Sequence, residues 1–242
     1  MTNRKLEQKC ILDTVRLVQR IKRLSFERHF HAEPYAALVL SGGYEEAGDN
    51  GFFKVSAGDV VFHDAFEAHL NRFFARGVTV LNLPLAWGKC YPGTASVGDP
   101  DAVVRMAETS GHAASELLLS LVERWTPQIS DWPARLAAKL IECPSLKLSE
   151  WGEENQLPAW TISRGFAQVF GVPPEAFRAR ARARRARRWI EDTATPLATI
   201  AAELGFADQA HMTRSVKQLT GATPKGWRSR ANGFKTGRCV SA

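Results

Sequence analysis

The chain has 242 residues, 45% of them hydrophobic and 10% aromatic, enough for two ordinary domains that each bury a core. Its formal net charge is +7, and residues 143–242 hold 16 Lys+Arg against 8 Asp+Glu, so the whole excess lies in that stretch. No apolar run approaches the roughly 20 residues of a membrane span, Glu7 precedes any apolar stretch so no secretory signal is read, and four scattered cysteines (Cys10, Cys90, Cys143, Cys239) lack paired spacing.

Reduced thiols and a cytoplasmic location follow as expectations, with nucleoid association when the chain is on DNA. A localised basic field suits a polyanion, and DNA is favoured over a membrane because the basic segment has no broad apolar face.

Residues 1–25 read as a charged lead-in with Ile11, Leu12, Val15 and Leu17. From Ser25 to Pro84 the signals are short strands. Tyr35–Leu40 closes at Ser41-Gly42-Gly43, and Gly48-Asp49-Asn50-Gly51 is a turn before Phe52–Val55. Ala57-Gly58-Asp59 turns into Val60–His63, and Val78–Leu83 ends at Pro84. This spacing predicts a β-sandwich or barrel. Trp87–Pro100 reads as loop, Ala102–Trp125 and Pro133–Cys143 as amphipathic helices, and Cys143-Pro144-Ser145 as the linker between a first domain, 1–142, and an all-helical second, 143–242.

The second domain contains an internal repeat. Ser163-Arg164-Gly165-Phe166-Ala167-Gln168-Val169-Phe170-Gly171 returns fifty positions later as Thr213-Arg214-Ser215-Val216-Lys217-Gln218-Leu219-Thr220-Gly221. Pro174 matches Pro224, and Phe177-Arg178 matches Trp227-Arg228. Each copy reads as a helix stopped at a Gly able to take positive φ, with Pro beyond. In the second copy Leu197–Leu204 leads, Gly205-Phe206 turns, and Asp208 caps a helix over Gln209–Thr220.

In the first copy Leu148–Asn155 leads and Pro158–Phe170 follows. Two helix–turn–helix units are therefore expected, with Trp160, Ser163, Arg164 and Gln168 on one reading helix. Gln209, His211, Thr213, Arg214 and Lys217 belong to the other. Arg164 and Arg214 are equivalent and suit bidentate contact with guanine, although such arginines can instead bond carbonyls of their own domain. Between the copies, seven arginines in Phe177–Trp189 alternate with Ala and predict one continuous helix with guanidinium groups around most of it.

Residues 146–230 resemble the DNA-binding domain of the AraC/XylS family of bacterial transcription regulators. The resemblance rests on Ala201-Ala202-Glu203-Leu204-Gly205-Phe206-Ala207-Asp208-Gln209 through Arg214, then Gly221-Ala222-Thr223-Pro224 and Trp227-Arg228. Val216 stands where the family usually has Phe, and Gln156 where a turn Gly is usual. The first domain resembles the cupin-type ligand-binding domain common in that family, through His29-Phe30-His31, Gly42-Gly43, Ala57–His63 and His69.

The resemblance implies an α+β chain of two domains: a cupin-like β-barrel with flanking helices, and an all-α domain of two helix–turn–helix units joined by a linker helix. Its expected partners are double-stranded promoter DNA, a small-molecule effector and RNA polymerase. A homodimer is also implied, through the helix after the barrel. His29, His31, Tyr35, His63 and His69 are the expected effector contacts. In metal-binding cupins a Glu four or five residues after the second His completes the ligand set; here Tyr35 or Ala36 stands there and Glu33 comes too early.

A pocket without metal or cofactor is therefore the leading reading. Purely structural histidines are the second reading, and convergence of His29, His31 and His69 on an ion such as Zn²⁺ is the minor one. A non-enzymatic regulator is expected, since no P-loop, GxSxG or HExxH occurs. The alternative is a cupin-type metal-dependent enzyme or metal sensor with an appended DNA-binding domain.

Overall fold

The computed structural model describes residues 9–10, 18–22, 24–89, 91, 93–125, 130–143 and 145–235, with the backbone alone at 9, 10, 75, 76, 125 and 230–235. It is an α+β chain, rich in sheet in its N-terminal part and helical in its C-terminal part. Two compact units divide it mainly between Arg135 and Leu136, inside the helix Trp132–Glu142 and ahead of the linker expected at 143–145.

Among the described residues, the first unit is built on nine strands. These are β1 (Lys9–Cys10), β2 (Val18–Ile21), β3 (Ser25–Phe30), β4 (Tyr35–Gly48), β5 (Gly51–Ser56), β6 (Asp59–His63), β7 (Ala68–Pro84), β8 (Thr94–Val97) and β9 (Val122–Trp125). Hydrogen bonding orders them β1-β3-β7-β4-β6-β8-β9, with β2 also on β7 and β5 on β4.

The period-2 alternation of the strands divides their side chains between two cores. Ala36, Leu38, Val60, Phe62, Leu81 and Leu83 pack with Val103, Ala114 and Leu118 of the helices α1 (Pro100–Ala107) and α2 (Gly111–Ser120). Val39, Val61 and Val80 face the other way, with Tyr44, Phe53 and Phe73.

Several expectations are corrected here. Strand β4 does not end at Gly42-Gly43 but runs on to Gly48, with its register against β7 shifting around Gly42. A Cβ on Gly42 (φ 77°) would lie 2.1 Å from the Gly77 carbonyl oxygen, so these glycines permit a bulge and a close backbone approach rather than a turn. Likewise β7 begins at Ala68, well before Val78.

The helix expected over 102–125 breaks after Ala107, because Ser110 caps a new helix by accepting from the Ala113 amide. Its last residues, Val122–Trp125, leave as β9 to pair with β8, itself a strand inside the expected loop. Part of the lead-in is strand as well, β1 and β2; Ile11, Leu12, Val15 and Leu17 lie outside the described residues.

In the second unit α3 (Trp132–Glu142) precedes α4 (Leu148–Glu154), α5 (Ala159–Phe170), α6 (Pro174–Asp192), α7 (Leu197–Glu203), α8 (Gln209–Thr220) and α9 (Pro224–Lys235). Helix α8 has the expected bounds, and the Asp208 carboxylate accepts from the His211 amide. Gly171 (φ 72°) and Gly221 (φ 75°) terminate α5 and α8 in the left-handed region.

The duplication extends to tertiary bonds. Arg178 donates to the carbonyl of Leu146, just before α4, and Arg228 donates to that of Thr195, just before α7. The arginine-rich helix α6 differs from its expectation: it packs on α7, α8 and α9, so one face is core. Arg184 and Arg187 are buried there with Ala183, Ala186 and Ile190, at 7% and 2% exposure. Arg187 reaches both Glu191 carboxylate oxygens at 2.7–2.8 Å, and Glu191 also accepts from the Trp227 indole at 2.7 Å.

Candidate nucleic-acid interface and sensory cavity

On α8 the buried stripe is Met212, Val216 and Leu219, the three-and-four spacing of an amphipathic helix. Gln209, Arg214 and Lys217 are left exposed, and Thr213 is half-buried. His211 is half-buried too, edge-on to Phe206 at 5.4 Å, so it belongs to the packing of the turn more than to the exposed row. Arg182 of α6 fixes the same turn, donating to the Gly205 carbonyl and lying over the Phe206 ring.

On α5 Ile162, Phe166 and Phe170 are buried, while Ser163, Arg164 and Gln168 are exposed and Trp160 is 70% exposed. The expected residues thus form exposed rows on α5 and α8, the half-buried His211 and Thr213 apart.

The α4–α5 and α7–α8 connections are not identical. Helices α5 and α8 match at an offset of fifty, but the turns match at forty-nine: Gln156 and Gly205 carry the positive φ (55° and 69°), and Leu157 and Phe206 donate back to Gly152 and Ala201. The second connection is one residue longer. Gln156 therefore holds, despite its Cβ, the conformation that glycine adopts cheaply at 205.

In the first unit the five expected effector contacts line one cavity of about 630 Å³. Strand register brings them together. His29 lies opposite His69 across β3 and β7, Tyr35 opposite His63 across β4 and β6, and Glu46 opposite Asn71 across β4 and β7. Ring centroids are 4.4 Å apart for His29–His69, His63–His69 and Tyr35–His63. The Tyr35 hydroxyl and His69 Nε2 are 3.5 Å apart, and His29 Nδ1 donates to the Glu27 carbonyl at 2.8 Å.

Burial sets the protonation states. Desolvation holds His63 and His69 well below the ordinary imidazole range and lowers His29; with help from His29 it takes His31 to about 4. All four are neutral imidazoles near pH 7. Burial, and then repulsion by Glu67, push the Glu46 carboxyl well above its usual range.

Glu46, Glu67, Asn71 and Asn82 were not foreseen. Glu46 lies beyond the glycines that read as the end of β4, and its place beside His63 depends on long-range pairing with β7. The carboxylate missing from the local spacing is thus supplied from elsewhere in the sheet: Glu46, His63 and His69 offer ligand atoms all within 4.8 Å of one another, as do His29, His31 and His69.

Residues 151–230 match the family model described as a helix-turn-helix domain. No curated protein matches the chain. Among solved structures, ToxT from Vibrio cholerae O395 is similar at 9% identity and a TM-score of 0.44, over 89% of this chain and 97% of that one. Unsaturated fatty acid-bound ToxT from Vibrio cholerae strain SCE256 has 12% identity and a TM-score of 0.42, over 87% and 93%. The C-terminal domain of AraT, a response regulator from Geobacillus stearothermophilus, has 20% identity and a TM-score of 0.40, over 43% and 88%. At such scores no residue role passes from these proteins to this chain. The repeat, the Asp208-capped helix α8 and the family match lead to one conclusion: residues 151–230 are a helix-turn-helix domain, and the chain is a DNA-binding transcription regulator.

Proposed function

We propose that the chain is a one-component, effector-responsive regulator that reads promoter DNA with two helix–turn–helix units, α4–α5 and α7–α8, and senses a small molecule in a cupin-type barrel. The observation that carries the sensing half is the convergence of His29, His31, Tyr35, His63 and His69 on one cavity of about 630 Å³, a size suited to a small organic ligand. The reading half is supported by the exposed rows on α5 and α8, where Arg164 and Arg214 are equivalent. Gln209, Thr213 and Arg214 face base edges in this reading, and Lys217 a phosphate.

An effector shifts the DNA-binding equilibrium only through unequal affinity for two states of the chain. Small-molecule screening by thermal shift, followed by selection of bound sequences from a random DNA pool with and without the hit, tests both halves. A pool that stays random would sink the reading half. A ligand whose binding survives His31→Ala and Tyr35→Phe unchanged would sink the sensing half.

We further propose a homodimer through α1 and α2. Their apolar side is largely spent on the core, but Met106 is 38% exposed on the outer side of α1. Sedimentation as a monomer at micromolar concentration would remove this proposal.

A further inference from the structure

Two buried carboxylates approach one imidazole of the cavity wall. Glu46 and Glu67 are buried, 1% and 2% exposed, and their Oε1 atoms lie 3.7 Å and 3.9 Å from His63 Nδ1. Those distances are too long for hydrogen bonds. Glu67 already accepts from the Asn50 amide and the Asp64 N–H, whereas Glu46 Oε1 and His63 Nδ1 face each other with no hydrogen bond between them.

The detailed geometry favours a cation. Glu46 Oε2 is fixed by the Asn71 amide at 2.8 Å, leaving Oε1 as the oxygen nearest His63. His69 Nδ1 is buried without a hydrogen-bond partner among the described residues. Two donor atoms on one tetrahedral zinc stand about 3.3 Å apart, for bonds of about 2.0–2.1 Å. The 3.7 Å gap between Glu46 Oε1 and His63 Nδ1 is a little wider than that and would close on an ion.

We infer that Glu46, His63 and His69 bind a divalent transition-metal ion of the zinc class inside the cavity. The competing set, His29, His31 and His69, would hold the same charge on three imidazoles with no carboxylate among the ligands. His31 is also the more exposed member. In the Glu46 set the Asn71 amide orients the ligating carboxylate from outside, as second-layer groups do at metal sites. Three protein ligands leave a fourth position for water or for an oxygen or nitrogen donor of an effector. The inference deepens the reading of this cavity as the sensory site, because the ion becomes part of what an effector meets.

The test uses the full chain, stripped with chelator, dialysed into metal-free buffer and titrated with Co²⁺ alone. One equivalent should bind and give the visible absorption of a four- or five-coordinate ion. Glu46→Gln, which keeps the volume, should weaken binding by more than about 100-fold, and Asn71→Ala by about tenfold. The loss in Glu46→Gln should exceed that in His31→Ala. Circular dichroism and retained DNA binding confirm that each variant is folded; should Glu46→Gln fail to fold, Asn71→Ala against His31→Ala decides.

No uptake by the wild-type chain overturns the inference. So does a greater loss in His31→Ala, which would put the ion on the other imidazole set. Cobalt uptake without effector binding would sink the small-molecule reading and keep the metal site, whereas effector binding without cobalt uptake would do the reverse.

Discussion

The approach of α4 to α5 makes a prediction whose sign opposes that of helix propensity. Gly152 lies in α4, where replacing Gly by Ala ordinarily stabilises a helix by about 0.5–1 kcal/mol. A Cβ there would sit 2.8 Å from Ile162 Cδ1 and 2.9 Å from the Leu157 carbonyl oxygen. The Ile162 methyl can swing aside, but Leu157 is tied back by its own amide to the Gly152 carbonyl at 2.8 Å. Overpacking of this kind costs about 1–3 kcal/mol, so Gly152→Ala should destabilise the second unit by about 1 kcal/mol net.

The equivalent position in the other unit is already Ala201, buried at 2%, where the connection is one residue longer. Ala201→Gly should therefore also destabilise, through the lost methyl and the freer backbone. Urea unfolding of the full chain, followed by far-ultraviolet dichroism, gives the midpoints. A midpoint for Gly152→Ala equal to or above wild type would refute the close-approach argument.

Three further substitutions test the DNA-binding unit. Glu191→Ala removes the carboxylate that meets the buried Arg187 and the Trp227 indole, and should cost about 3 kcal/mol in urea unfolding; a loss below 1 kcal/mol would mean the pair is effectively solvated. Asp208→Ala removes the α8 cap and should cost about 1 kcal/mol by the same measurement. Arg214→Ala should weaken binding by about 5–150-fold and flatten preference at one base position in sequence selection. Equal weakening across all sequences would make Arg214 a phosphate contact.

Legibility in the sequence followed the range of the interactions. The bounds of α8, its Asp208 cap and its Gly221 stop are local chemistry, and all were readable. The imidazoles could be listed because His29, His31, His63 and His69 fall in one stretch of sequence, but their arrangement depends on pairing between strands. Glu46 escaped because glycines at 42 and 43 look like a strand end, while Gly77, far along the chain, turns them into a bulge. The helix expected over 102–125 failed for a related reason: its apolar spacing continues past Ser110, but the cap there restarts the helix and β8 recruits Val122–Trp125. On α6 the alternation of Arg with Ala announces a helix without saying which turns are covered by α7, α8 and α9.

The inward arginines of that helix change how its basicity counts on DNA. Arg184 and Arg187 are buried, and Arg178 and Arg182 have already given donors to main-chain carbonyls. A guanidinium committed to the protein interior displaces no counterion from a phosphate. Each phosphate that is neutralised adds about 0.9 to the slope of log affinity against log salt. The slope for this chain should therefore fall well short of what 16 Lys+Arg in residues 143–242 would give, with much of the apparent excess serving as mortar between helices.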